Sequence, residues 1–150
     1  MAKPKPKPKP KPKPKPKPVS LLIIDDNENF LKTISAHLVE HHAREIHVLG
    51  TARSGRQGIN LAQQLHSQVV LLDLKMPEMH GFDVIPLLRR ALPEIRIITT
   101  TLLPPEIFEQ SGEIYRQANA AAGADAFIPK QNLTTDLIPT IQKMMEPISR

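Results

Sequence analysis

The chain is predicted to fold as a doubly wound α/β domain, a five-stranded parallel sheet with helices on both faces. Three observations predict it. Val69 to Leu72 is an unbroken apolar run, the pattern of a strand buried on both faces. Short apolar runs of this kind alternate with longer stretches whose apolar residues recur at helical spacing. Several of the runs stop abruptly at polar or charged residues, and the carboxyl edge of an open parallel sheet is where such folds collect their chemistry.

Val19 to Ile24, VSLLII, is the first strand and ends in Asp25 and Asp26. Asn27 then caps a helix in which Phe30, Ile34 and Leu38 recur every four residues. Glu45 to Leu49 is a short second strand, and Gly58 to Leu65 a helix with Ile59, Leu61, Ala62 and Leu65 facing inward. The Val69 strand ends in Asp73, followed by a loop containing Pro77 and Gly81. Phe82 to Leu92 is helical, with Pro86 tolerable only near the first turn, and Ile95 to Thr101 is the fourth strand. Between Leu102 and Gly123, the spacing of Ile107, Phe108, Ile114, Tyr115 and Ala118 predicts a long helix ended by Gly123. Ala126 to Ile128 is the fifth strand. The last helix runs from Thr135 to Met145 with Leu137, Ile138, Ile141 and Met144 or Met145 inward and Pro139 in its opening turn. Right-handed crossovers place this in the flavodoxin-like class with strand order 2-1-3-4-5.

The 150 residues allow one domain of ordinary size, set here at residues 19–150, preceded by a tail at 1–18. Cysteine is absent, which removes disulfides, thiolate metal sites and thiol nucleophiles, and no apolar run approaches the length of a membrane span. With no signal-peptide pattern at the N-terminus, a cytoplasmic protein is expected. The net charge of +5 is misleading until it is divided. Residues 3–18 are eight Lys-Pro dipeptides; the remainder holds 12 basic residues against 15 acidic ones, a net of −3. Alternate prolines forbid helix and interior strand, so the tail is expected to be disordered with polyproline II character, suited to anionic surfaces such as phosphates or lipid headgroups.

In a parallel sheet the ends of strands one, three, four and five share an edge, which brings together Asp25, Asp26, Asp73, Thr101 and Lys130. Converging carboxylates repel one another unless a cation neutralises them, and hard oxygen donors suit Mg²⁺. A carboxylate beside Mg²⁺, a lysine and a hydroxyl is built to accept a phosphoryl group, because that chemistry needs mainly positioning and charge neutralisation.

The motifs LLIIDD at 21–26, VVLLDLKMPEMHGFDVI at 69–85, the strand ending in Thr101 and AGADAFIPK at 122–130 closely resemble the response-regulator receiver domain of two-component signalling. The resemblance implies that Asp73 is the phosphorylated aspartate, with Asp25, Asp26, Asp73 and the backbone carbonyl of Lys75 holding Mg²⁺. It implies Thr101 as the switch hydroxyl, with Thr100 the alternative if the register slips by one, Lys130 as partner of the phosphoryl oxygens, and Phe127 at the aromatic switch position. The implied partners are a sensor histidine kinase or histidine phosphotransfer protein, and a second copy of the chain once phosphorylated. Such a domain is a phosphoryl acceptor assisting its own phosphorylation and dephosphorylation, not an enzyme acting on other substrates. The chain departs from the family at Leu102, where a small residue is usual and which is expected to narrow access to the phosphate. It departs again at Gln131, where proline is common, and in a fourth helix longer by nearly two turns. Lys75 places an amine at the rim of the site.

Other readings are weaker. His37, His41, His42 and His47 lack the spacing of a metal site, and Arg53 to Gly58 lacks the Gly-Lys-Ser/Thr ending of a phosphate loop. A haloacid-type hydrolase needs a second acid two residues after Asp73, where Lys75 stands. The alternatives to a stand-alone receiver are the receiver part of a DNA-binding transcriptional regulator and a non-phosphorylated interaction module.

Overall fold

Among the described residues, five strands alternate with five α-helices: β1 (Val19–Ile24), α1 (Glu28–His41), β2 (Ile46–Ala52), α2 (Gly55–Leu65), β3 (Val69–Asp73), α3 (Gly81–Ala91), β4 (Arg96–Thr101), α4 (Pro105–Ala122), β5 (Ala126–Pro129) and α5 (Leu133–Met144). A single 3-10 turn at Lys130–Asn132, absent from the sequence-based assignment, joins β5 to α5. The structure, a computed structural model, describes residues 2–10 and 17–147, apart from the side chain of Phe108. The middle of the tail, residues 11–16, and the inward role expected of Phe108 therefore lie outside the described residues. The strands form one parallel sheet in the order β2-β1-β3-β4-β5.

Alternation along each strand sends side chains to the two faces in turn. On one face Leu21, Ile23, Leu71, Ile98 and Ile128 pack against Leu31, Ile34 and Leu38 of α1 and Leu137 and Ile141 of α5. On the other, Leu22, Ile24, Val70, Leu72 and Ile97 pack against Ala62 of α2 and Val84, Ile85 and Leu88 of α3. All of β3 is buried, as its apolar run requires.

Four local expectations are corrected. β2 continues to Ala52, past a register shift between Leu21 and Leu22 of β1 that leaves Leu49 unpaired and breaks the alternation. α2 begins at Gly55, capped by the Ser54 hydroxyl, which accepts from the Gln57 backbone N–H at 3.2 Å. Leu65, expected inside, is exposed at the end of that helix. Pro86 and Pro139 lie beyond the opening turns, as the sixth residue of α3 and the seventh of α5. Both are on exposed faces, where water can reach the carbonyl that loses its N–H partner.

Two polar arrangements anchor α4. Asn119 is buried; its carbonyl oxygen accepts from the Thr99 hydroxyl at 2.5 Å and its amide donates to Tyr115 O at 2.7 Å. Arg89 of α3 donates to the carbonyls of Gly123 and Ile95 and pairs with Asp125 at 2.6 Å. Gly123 ends α4 at φ 104°, a left-handed conformation that glycine adopts without a Cβ penalty.

Candidate functional site at the carboxyl edge of the sheet

β1 and β3 are neighbours, with Ile24 paired to Leu72, so Asp25, which follows β1, meets Asp73, which ends β3. Asp25 is fully buried and Asp73 nearly so. Asp25 Oδ1 accepts from the Asn27 backbone N–H at 2.8 Å, and Asp73 Oδ1 from the Lys75 N–H at 3.3 Å. Asp26 is half-buried beside them. One carboxylate oxygen from each of Asp25, Asp26 and Asp73 lies within 4.8 Å of the others. Burial pushes the Asp73 carboxyl up to about 6, the Asp25 charge adds to the rise, and Lys130 and the Lys75 N–H pull the other way.

Lys130, at the end of β5, brings the positive charge. Its Nζ is 2.7 Å from Asp25 Oδ2 and 3.8 Å from Asp73 Oδ2, so it stands closer to Asp25 than to Asp73. The 2.7 Å approach is an ion pair, not an aligned hydrogen bond, since Asp25 Oδ2 has no hydrogen-bond donor. The same Nζ sits 4.3 Å above the centroid of the Phe30 ring, a cation–π contact. Phe30 was expected to be only a helix-packing residue.

β4 delivers the threonines. Thr100 is level with Asp73 and shares its face, while Thr101 pairs with Pro129 one step further along. Both hydroxyls are buried without a hydrogen-bond partner. Thr101 lies on the face that carries Phe127, which is level with Thr99. Phe127 is already buried against Leu74 and Leu103 and stacks on Tyr115 with ring centroids 5.8 Å apart. Leu102 points to solvent, 66% exposed, so it does not roof the site as expected.

The loop after β3 is shaped by Gly81, whose N–H donates to Leu74 O at 3.0 Å. A Cβ there would stand 2.7 Å from Leu74 Cα and 2.8 Å from Asp73 O, both backbone atoms. Gln131 donates to Leu103 O at 2.7 Å and so ties the lysine turn to the loop after β4. Neither Asn27 nor Gln131 was singled out as a site residue. A polar residue two positions after a strand-end aspartate is the signal that marks Asn27.

The trio of hard oxygen donors with a raised carboxyl pKa fits a divalent cation, which would remove the mutual repulsion. Among the described residues it is the one group of three or more histidine or acidic side chains in coordinating range. His37 packs against His41 and His42, at 5.0 and 5.5 Å between ring centroids, without converging nitrogens. A cleft of about 730 Å³ opens beside Asp26, lined by Arg53, Arg56, Met76 and Met79 among others. A larger one, of about 890 Å³, lies around Gln68, Arg96 and Met145 at the opposite edge of the sheet and contains none of these residues.

Residues 21–142 match the response regulator receiver domain family, and the chain belongs to that family. It is 28% identical over 128 residues to the response regulator protein VraR of Staphylococcus epidermidis, covering 85% of this chain and 57% of that protein. The chain thus spans a little over half the length of the curated relatives it matches. Among solved structures, the DNA-binding response regulator of the LuxR family from Staphylococcus aureus is 27% identical, with a TM-score of 0.64 over 83% of this chain and 97% of that one. CheY in the CheX-CheY-BeF3-Mg complex from Borrelia burgdorferi shares the fold at a TM-score of 0.73 and 19% identity, over 87% of this chain and 92% of that one. No helix among the described residues is long and apolar enough to cross a membrane.

Proposed function

We propose that the chain is a phosphorylatable receiver that takes a phosphoryl group from a histidine kinase or histidine phosphotransfer protein onto Asp73. The observation that carries this reading is the convergence of Asp25, Asp26, Asp73 and Lys130, with the Asp73 carboxyl raised to about 6. Asp73 is the acid at the end of the central strand, flanked by the acid pair on one side and Lys130 on the other. Asp25, Asp26, Asp73 and the Lys75 carbonyl would hold Mg²⁺. When bound, the ion supplies charge neutralisation for the carboxylates and the incoming phosphoryl oxygens.

An Asp73 carboxylate oxygen attacks phosphorus, the bond from phosphorus to the donor imidazole nitrogen breaks, and the ring, already protonated on its other nitrogen, leaves as neutral imidazole. Lys130 follows the transferred charge, moving its ion pair from Asp25 towards the phosphoryl oxygens. An orphaned threonine hydroxyl, from Thr101 or Thr100, donates to one of those oxygens. In the reverse of activation, water attacks phosphorus and the acyl phosphate releases the Asp73 carboxylate and inorganic phosphate. Lys75, exposed at the rim, hinders that water.

The output is a surface. Movement of Thr101 changes the face shared with Phe127 and shifts α4, β5 and α5 between two packings that a partner or a second copy of the chain distinguishes. A second reading, that this is the receiver part of a DNA-binding transcriptional regulator, is favoured by the 27% identity to the DNA-binding response regulator of the LuxR family. Incubation with acetyl phosphate and Mg²⁺ tests the proposal: the native chain gains the mass of one phosphoryl group and Asp73→Asn gains none. Equal uptake by the variant would overturn it. Amide exchange with beryllofluoride should change in residues 102–130 as well as in the Asp25 and Asp73 loops, and change confined to those loops would exclude the switch.

A further inference from the structure

We propose that the Lys-Pro repeat at residues 3–18 binds duplex DNA through its phosphates, without reading bases, and does so independently of the acidic site. Eight lysines alternate with eight prolines. The described part of the tail, residues 2–10 and 17–18, is exposed and outside helix and strand, and no ion pair joins its lysines to the domain. The folded part, at net −3, adds no attraction for phosphates. The affinity for an anion therefore resides in the repeat.

The shape of the repeat chooses between a membrane and a nucleic acid. Proline at every second position excludes an amphipathic helix, and the repeat offers no aromatic or aliphatic side chain that could insert among lipids. Alternate prolines favour polyproline II, which has three residues per turn and a rise of about 3.1 Å, so a Lys-Pro repeat of that character would set successive lysines roughly 6 Å apart along its axis and on three sides of it. A flat bilayer meets the lysines on one side of such a rod. A duplex groove has phosphates on both walls, and so neutralises lysines on opposed sides together. Fixed proline φ angles also reduce the ordering cost of lying in a groove.

The fold separates this element from the site. The Val19 N–H donates to Glu45 O at the amino edge of β1, whereas Asp25 and Asp26 follow the carboxyl end of β1 and Asp73 ends β3. The six residues of β1 put roughly 20 Å between the two edges. DNA on the tail leaves Asp73 open to its donor, and its phosphates stay clear of the carboxylates.

Fluorescence anisotropy of a labelled duplex of about 30 base pairs, titrated with the full chain at several salt concentrations, tests this. Eight lysine–phosphate contacts give a log–log salt slope of about −7, a weakening of roughly 10⁴-fold between 50 and 200 mM salt. A scrambled duplex should bind equally. Changing all eight tail lysines to Gln should weaken binding by at least about 100-fold at low salt, and changing them to Arg should retain it. Circular dichroism confirms that the domain remains folded, and Asp73→Asn should bind DNA as the native chain does. Undiminished binding by the Gln variant would overturn the proposal. So would tighter binding to vesicles containing roughly one-third phosphatidylserine than to the duplex at equal salt, which would assign the tail to membranes.

Discussion

Replacing Asp73 by Asn should make the metal-free protein more stable at neutral pH, although it removes the residue on which function rests. The reason lies in the carboxyl, raised from 3.8 to about 6 by burial and by Asp25. A rise of that size means that ionising Asp73 in the folded state costs about 3 kcal/mol more than in the unfolded chain. For an acid with a raised folded pKa, the folded state holds the proton more tightly, so stability falls as pH climbs from 3.8 through about 6. Asn keeps the shape and the hydrogen bond from the Lys75 N–H without the charge. Its advantage should be up to about 3 kcal/mol above pH 7 and roughly half that near pH 5. Each kcal/mol corresponds to about 2–4 °C in Tm for a domain of this size. Urea denaturation of both proteins at the two pH values, with chelator present, gives the difference. Added Mg²⁺ should stabilise the native chain more than the variant and narrow the gap. A variant less stable than the native chain at pH 7.5 would refute the reasoning, since the acids would then not be straining one another.

Asp26→Ala should weaken Mg²⁺ binding markedly, measured by calorimetric titration; unchanged affinity would place the ion elsewhere. Gly81→Ala should cost about 1–3 kcal/mol and slow phosphoryl uptake, because its Cβ meets the backbone of Leu74 and Asp73 and displaces the acceptor's loop. Native-like stability and uptake rate would show that the loop yields freely. Asn119→Ala should destabilise by about 1–3 kcal/mol, because the buried Thr99 hydroxyl keeps only its longer bond to Ala126 O at 3.3 Å and Tyr115 O loses the Asn119 amide. Adding Thr99→Val should then cost little more, and additive losses in a double-mutant cycle would contradict that coupling.

Strands were legible where burial on two faces forces continuous apolar runs, as in β1 and β3. β2 was read short because Leu49 is unpaired beside the register shift and Gly50 and Thr51 interrupt the apolar pattern. The start of α2 was missed because Gly55 reads as a loop residue, which left the helix beginning at Gly58. Both glycines answer to packing: a Cβ at Gly55 would stand 2.6 Å from Val84 Cγ2, and one at Gly58 2.3 Å from Ile24 Cδ1. Pro86 and Pro139 misled in the same way, since helix propensity says nothing of which carbonyls water can reach. At the site, Asp25, Asp26, Asp73 and Lys130 were legible because strand ends in a parallel sheet must share an edge. The Lys130–Phe30 contact and the Gln131 bond to Leu103 were not, because each joins segments far apart in sequence through one side-chain conformation.

The central claim, that Asp73 accepts the phosphoryl group, is tested most directly by trapping. The full chain, treated with acetyl phosphate and Mg²⁺, is reduced with borohydride, which converts an aspartyl phosphate to homoserine, and its peptides are mapped by mass spectrometry. Homoserine is expected at position 73 and nowhere else. Homoserine at position 25 or 26, or none anywhere under conditions that phosphorylate a known receiver, would contradict the account.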